Sequence, residues 1–355
     1  MKRKLKAAFI LPSLANRGPV VFTAYLVNEL VKLIDLVDVY YFDDIREVQF
    51  DCDSYKIKSI SDIDYGKYNI VQTTMFRPDV YLALNKNRLC QGAILISGMH
   101  NYILEDMQYN YGKVKGYIIS TLWMLMLKRF DALVYSSNEM VNYYSCFLGQ
   151  KRYSKIPYGI GRFEFSNVEL EFENEIKSLS SRYTILGAVG LLIKRKGFHQ
   201  LIESLKYLSD CALILIGDGP EKESLMNLAL AEGVSERIIF TGFQNNSKEY
   251  YKYLDIYCMS SYSEGFGLAM LEALSCKIPL ICSNLNIYKE FFNNRDVGIF
   301  SLDNIDSLVG AVVKVKSDLA LFSRSSFELF EKNFEVNVMA KKHLDFYNEL
   351  LDCYE

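Results

Sequence analysis

The feature that most constrains this chain is a repeated alternation. Short apolar runs, each about the length of a strand, are followed by stretches with helical spacing along its whole course. A parallel sheet is covered by helices on both faces, so its strands read as continuous apolar runs and the alternation predicts an α/β fold. In the first half, strands are expected at Ala7–Pro12, Val37–Phe42, Ile70–Thr73, Ala93–Ser97 and Ala132–Ser136, with helices such as Val20–Leu33 and Met140–Leu148 between them. A second series begins after Tyr183, with strands at Thr184–Val189, Ala212–Ile216, Arg237–Thr241, Leu254–Ser260 and Pro279–Cys282. Its helices include His199–Tyr207, Glu221–Ala231 and Leu268–Ser275. Two series predict two doubly wound, Rossmann-like domains facing each other across a cleft, with ligands beyond the carboxyl ends of the strands.

The stretch Gly159–Arg182 has weak periodicity and reads as the interdomain connection; the tail Val336–Leu351 has helical spacing. The expected domains are residues 1–165, residues 166–332, and a C-terminal helix, residues 333–355, packing back on the first domain.

A length of 355 residues, half of them hydrophobic, suffices for two large cores. The net charge of −3 argues against nucleic acid as a partner. Eight cysteines lie scattered, among them Cys52, Cys90, Cys146, Cys211, Cys276 and Cys282, without a C-x-x-C pair. They read as reduced thiols in a cytoplasmic protein, with no zinc site. The basic, apolar start MKRKLKAAFILPSLA lacks a signal-peptide cleavage site and reads as a first buried strand. The apolar run Tyr117–Leu127 is shorter than the roughly 18 residues of a membrane span.

The chemistry is concentrated in Ser263–Glu272, SEGFGLAMLE. Glu264 and Glu272 bracket a Gly-Phe-Gly turn and an apolar helical run, which puts one acid at a helix mouth and the other about two turns inside. Free N–H groups and the positive end of the helix dipole can hold a phosphate there. One carboxylate can take ribose hydroxyls and the other sugar hydroxyls, so the set suits a nucleotide-sugar.

The second half resembles the C-terminal domain of the family-four retaining glycosyltransferases of the GT-B fold (glycosyl transferases group 1). The resemblance is carried by GAVGLLIKRKG (187–197), LILIGDGPEKESL (213–225), IIFTGF (238–243), SEGFGLAMLEAL (263–274) and KIPLICSN (277–284), in order. VYSSNEM (134–140), KIPYGIGRFEF (155–165) and the turn at Gly18 match more loosely. The resemblance implies transfer of a hexose-type sugar from a nucleotide-sugar co-substrate, UDP- more often than GDP-, with retention at the anomeric carbon. The acceptor it implies is a glycan or lipid-linked saccharide in surface polysaccharide biosynthesis. It assigns Glu272 to the ribose, Glu264 to the donor sugar, and Lys196 to the diphosphate. It assigns the backbone of Phe266, Gly267 and Leu268 to the distal phosphate, with Gly265 beside them in the donor-binding set. Gly190, Arg195, Gly18, Gly219 and Phe243 complete the donor-binding set, and His100 is expected to touch donor sugar or acceptor. The family's arginine after the first glycine is Leu191 here, with Lys194 and Arg195 nearby as substitutes. A lysine and a helix N-terminus stabilise the departing diphosphate, so no metal or other cofactor is expected.

Other signals have plainer readings. Glu264 at a helix start is mildly favoured without function. His199 and His343 read as structural, and Gly217-Asp218-Gly219-Pro220 as a turn that starts a helix at Pro220. The triplets Asp51-Cys52-Asp53 and Asp62-Ile63-Asp64 read as chance. Lys113–Arg129, apolar between basic ends, is read either as a buried domain helix or, with basic Met1–Lys6, as a helix resting on the anionic inner face of the plasma membrane. Competing functions are a GT-B-fold nucleotide-sugar epimerase, a phosphorylase, and a non-catalytic nucleotide-sugar-binding protein. A dinucleotide oxidoreductase is disfavoured because Lys222 stands where G-x-G-x-x-G needs its third glycine.

Overall fold

A computed structural model describes residues 4–59, 62–89, 92–149, 151–166 and 170–353. The chain divides into two compact units, Met1–Ile160 with Asn333–Glu355, and Gly161–Lys332. Cys90 and the basic residues 1–3 lie outside the described part.

The first unit runs β1 (Lys6–Leu14), α1 (Gly18–Leu30), β2 (Leu36–Arg46), β3 (Ser54–Lys56), β4 (Ile70–Thr74), α2 (Phe76–Leu89), β5 (Ile94–Met99), α3 (Ile103–Tyr111), α4 (Lys113–Leu127), β6 (Ala132–Tyr135), α5 (Asn138–Leu148) and β7 (Arg152–Lys155). Its seven strands are parallel in the order β3-β2-β1-β4-β5-β6-β7. The second unit runs α6 (Glu173–Ser180), β8 (Thr184–Val189), α7 (Phe198–Ser204), β9 (Cys211–Ile216), α8 (Lys222–Ala231), β10 (Ile238–Gly242), β11 (Ile256–Met259), α9 (Leu268–Ser275), β12 (Leu280–Ser283), α10 (Asn286–Lys289), β13 (Gly298–Phe300), α11 (Ile305–Lys316) and α12 (Leu319–Asn333). Its six strands are again parallel, in the order β10-β9-β8-β11-β12-β13. The last helix, α13 (Val336–Cys353), belongs to the first unit, where the Tyr347 hydroxyl donates to Gln72 Oε1 on β4 at 2.5 Å.

Both sheets reverse their winding direction beside their first strand, between β1 and β4 and between β8 and β11. The two loops there diverge to opposite faces and leave a crevice at the carboxyl ends, which is where doubly wound sheets bind ligands. Separate apolar cores form, one around Ile10, Leu95, Trp123 and Tyr144, the other around Leu186, Leu213, Ile256 and Val312.

The central strands follow the expected runs, and β8 and α9 match residue for residue. Strand β1 passes through Pro12 and ends at Leu14, because β4 pairs only with Ala7–Ile10 and no ladder on that side needs the missing N–H. Three strands were not expected: β3, β7 and β13, each three or four residues long and each next to one neighbour only, at a sheet edge. β3 and β7 are half in water and carry polar residues, so no apolar run marks them. The stretch Gly159–Arg182, expected as the interdomain connection, holds α6, whose Ile176 and Leu179 are buried. Helix α8 starts at Lys222, not at Pro220.

Helix α4, within the stretch Lys113–Arg129 that had two readings, is buried along one side only. Gly116, Ser120, Trp123, Met124 and Leu127 of α4 are buried, whereas Val114, Tyr117, Ile118, Leu122 and Leu125 face outward. Among the described residues, no helix is long and apolar enough to cross a membrane.

Candidate functional site

In the second unit the candidate residues gather at the carboxyl ends of β8, β9, β10 and β11. The loop after β11 is tied to the loop after β8: Tyr262 N–H donates to Arg195 O at 2.8 Å, and Ser260 Oγ donates to Lys196 O at 2.8 Å. These bonds aim Lys196 at the mouth of α9, where its Nζ lies 2.6 Å from Glu264 Oε1. Ser261 Oγ donates to the same oxygen at 2.6 Å. Both charged side chains are largely buried, and no hydrogen bond reaches Glu264 Oε2 among the described residues. Ser261 and Glu264 stand three apart, the spacing of a reciprocal helix-start motif, so this contact was open to a reading of the sequence.

Helix α9 begins after Gly267, whose φ of 98° lies in the left-handed region; a Cβ there would meet Met259 Cε at 2.9 Å and the Tyr288 hydroxyl at 3.2 Å. The first intrahelical bond is made by Met270 N–H to Gly267 O, so the N–H groups of Leu268 and Ala269 point out of the helix mouth with no partner in the helix. LAMLEALS contains neither glycine nor a β-branched residue and suits a helix. Lys277, at φ 63°, ends it: Lys277 N–H donates to Leu274 O and Ile278 N–H to Ala273 O.

Glu272 points from α9 into a setting that the sequence reading missed. Tyr251 Oη donates to Glu272 Oε2 at 3.1 Å and also contacts Ala269 O, at 2.9 Å. Lys248 Nζ lies 3.2 Å from Glu272 Oε1. Both partners come from a short 3-10 helix, Ser247–Tyr253, whose wide sequence separation from Glu272 gave no local signal. Beneath the two acids lies the buried Tyr257. Its hydroxyl pKa is driven well above the ordinary tyrosine range by burial, then by the charges of Glu264 and Glu272.

The glycine loops cross above the sheet. Gly190 N–H donates to Ile216 O, Gly217 N–H to Gly242 O, and Leu192 N–H to Asp218 O. A Cβ on Gly217 would sit 2.0 Å from Gly190 O, so only glycine allows this approach. Gly190, Gly219 and Phe243 thereby share one edge with Lys196. Phe243 is 72% exposed and Leu191, at the arginine position, 57% exposed. Arg195 is exposed, whereas the Phe266 side chain is buried against Phe291, so only its backbone is available to a ligand.

His100 and Gly18 lie in the first unit. There a cavity of about 570 Å³ opens at the carboxyl ends of β1, β4 and β5, with Arg17, Pro19, Met75, His100, Asn110 and Trp123 in its wall. His100 Nδ1 contacts the Tyr158 hydroxyl, and burial, with a smaller effect of His343, pushes the imidazole pKa down to about 3. The ring is therefore neutral near pH 7. The remaining histidines pack as expected for structural residues: His199 contacts the Tyr262 hydroxyl, and His343 is buried with Nδ1 at Met339 O. Asp62 is used locally, accepting the N–H groups of Lys58 and Ser59.

A search of protein families matches residues 171–324 to "Glycosyl transferases group 1". The chain is also 30% identical, over 98% of its length and 99% of the relative's, to the O-antigen biosynthesis glycosyltransferase WclY of Escherichia coli. The chain belongs to the group 1 glycosyltransferases. As a glycosyltransferase of this group it is also 24% identical, over 80% of its length and 76% of the relative's, to the UDP-Gal:alpha-D-GlcNAc-diphosphoundecaprenol alpha-1,3-galactosyltransferase of E. coli. Among solved structures, Anabaena Alr3699/HepE in complex with UDP aligns with a TM-score of 0.78 at 14% identity, covering 97% of this glycosyltransferase and all of that chain. Similarity at that identity speaks for the fold, which is GT-B.

Proposed function

We propose that this glycosyltransferase uses the α9 mouth to hold a nucleotide-sugar, UDP-linked in preference to GDP-linked, and transfers its hexose with retention to a lipid-linked saccharide in surface polysaccharide biosynthesis. The observation that carries this reading is the Lys196–Glu264 contact of 2.6 Å at the mouth of a helix. Two relatives point the same way by name, one in O-antigen biosynthesis and one acting from UDP-Gal on a diphosphoundecaprenol-linked sugar.

The chemistry follows from the geometry. Cleavage of the donor's anomeric bond puts negative charge on the leaving diphosphate. Lys196 and the outward N–H groups of Leu268 and Ala269 offer positive charge that is already oriented, so little reorganisation is needed as the charge grows. The contact with Glu264 fixes the ammonium before the donor arrives, and Glu264 Oε2 remains available to a sugar hydroxyl. Glu272, braced by Lys248 and Tyr251, is proposed to accept the ribose hydroxyls. Gly190, Gly219, Arg195, Gly265 and Phe243 complete the proposed donor site. In the first unit, taken by itself, Gly18 and His100 are proposed as ligand-binding residues, and neutral His100 can bond a sugar hydroxyl at the cavity. Lysine and helix dipole supply the charge compensation, so the reading includes no metal or other cofactor.

A panel of UDP- and GDP-sugars tests this reading. One UDP-hexose should raise the melting temperature, since a ligand bound only by the folded state stabilises it. The same donor should release UDP in the presence of membrane-extracted acceptor, equally with and without EDTA, and proton NMR of the product should show the donor's anomeric configuration. Binding without release would favour the non-catalytic reading, for which exposed Leu191 at the arginine position is the supporting observation. Isomerisation without acceptor would favour the epimerase.

A further inference from the structure

Among the described residues, three other than glycine hold a positive φ: Met75 at 73°, Lys277 at 63° and Asp303 at 57°. Two have a local cause. Lys277 stands just past α9, where helices commonly end in the left-handed region, and Asp303 has a short polar side chain that tolerates it. Met75 has neither. It joins β4 to α2, and its carbonyl accepts from Asp79 N–H at 3.2 Å, at a helix start where the backbone is ordinarily extended. A glycine would hold the same backbone without strain.

The surroundings enforce this conformation. Thr74 pairs with Gly98 in the β4–β5 ladder, Thr73 Oγ1 donates to Asp79 Oδ1 at 2.6 Å, and the ring of Phe76 meets that of Trp123 edge-on at 5.3 Å. Both chain neighbours of Met75 are thereby fixed, and strain enforced in this way concentrates at functional sites. Met75 is half-buried and lines the cavity of the first unit, together with Met107, Ile119 and Trp123. The Trp123 indole N–H is engaged by Asp79 at 2.8 Å, so its ring offers the cavity only carbon. Polar groups stand in the same wall, among them His100, Asn101 and Asn110. A wall of this mixture suits a polar ligand that carries an apolar substituent.

We propose that Met75 is a specificity-determining residue for the acceptor, its strained backbone presenting the thioether to a methyl group on the acceptor saccharide. The methyl is that of an acetamido group or the C6 methyl of a 6-deoxy sugar. This rests on the reading of the first unit's cavity as the place of the acceptor. A methyl against Met75 exchanges water for carbon and sulfur, and an unbranched, polarizable side chain fits it closely. A hydroxyl in its place would lose its bonds to water and meet only a weakly accepting sulfur. His100 and the two asparagines take the remaining hydroxyls. In such a setting one methyl discriminates by about tenfold or more.

Trp123 is the only tryptophan of the chain and lines this cavity, so its fluorescence reports occupancy. The test titrates the full chain with the methyl glycosides of N-acetylglucosamine, 6-deoxyglucose and glucose, which share one aglycone. At least one of the first two should bind about tenfold more tightly than the glucoside, and which one does so identifies the source of the methyl. Met75→Ala, Met75→Gly and Met75→Gln, the last of which keeps the length of the side chain, should each reduce that preference to about twofold or less. Circular dichroism checks that each is folded. Alanine and glycine both remove the thioether and differ in backbone strain, so the glycine variant should unfold at the higher urea midpoint. Folded variants that keep the preference would overturn the inference, as would an alanine variant as resistant to urea as the glycine variant. Equal affinities of the wild type for all three glycosides would remove the role of Met75 alone, whereas no change in emission with any of them would remove it together with the acceptor's place in this cavity. The titration needs neither donor nor turnover, so these failures would leave the transferase reading standing.

Discussion

At the scale of single residues, Glu272 and Asp79 show two different uses of a carboxylate. Glu272 is half-buried and flanked by Lys248 and Tyr251, a setting that fixes its two oxygens without exhausting them. If it grips a ribose, Glu272→Ala should lower kcat/KM at least tenfold, about 1.4 kcal/mol of barrier, while the melting temperature barely moves. Steady-state kinetics beside a thermal melt checks this. Asp79 is fully buried, with no cation paired to it among the described residues; Thr73, Ser97 and the Trp123 indole donate to it at 2.6–3.0 Å. Burial raises its pKa to about 7 against the weaker opposing effect of those bonds. A carboxyl raised in the fold is stabilising while protonated, so its contribution is complete below about pH 4 and is lost as pH rises through about 7. Asp79→Asn, isosteric and neutral, should remove that loss. Urea midpoints should show the variant gaining on the wild type between pH 5 and pH 8; parallel curves would contradict it.

At the scale of elements, the loops after β8, β9 and β10 act as one piece because backbone lies on backbone. Gly217→Ala would press a methyl to within 2.0 Å of Gly190 O at a φ of 141°, and a carbonyl cannot rotate away as a side chain can. We expect a loss of about 2 kcal/mol or more in stability, read from denaturant unfolding. These elements also show what the sequence could disclose. β8 and α9 were legible to the residue because each is a mostly buried, mostly apolar run with a turn glycine at one end, Gly190 after β8 and Gly267 before α9. Lys196, Glu264 and Glu272 were legible because glycines at fixed offsets flank them. Lys248 and Tyr251 were not: the turn that carries them has no period, and their partner lies 21 or more residues away. The edge strands β3 and β7 escaped because a strand half in water need not be apolar. The run Lys113–Arg129 left two readings open, since an unbroken apolar run does not say which side faces the core.

At the scale of the whole molecule, two sheets of similar winding carry different chemistry. The second unit sets an ammonium, two carboxylates and a helix mouth at its winding reversal. The first sets a cavity with a neutral histidine at its own. The same architecture thus offers a charged site, proposed for the nucleotide diphosphate, and a less charged one, proposed for the acceptor. The claim on which this division rests is that Lys196 meets the departing diphosphate. The most direct measurement is kcat for nucleoside diphosphate release from the donor that the thermal panel identifies, comparing wild type, Lys196→Met and Lys196→Arg, with melting temperatures recorded for each. The expected result is a fall of about a hundredfold or more for methionine, partly restored by arginine, in proteins that remain folded. A folded Lys196→Met enzyme turning over within about twofold of the wild type would contradict it.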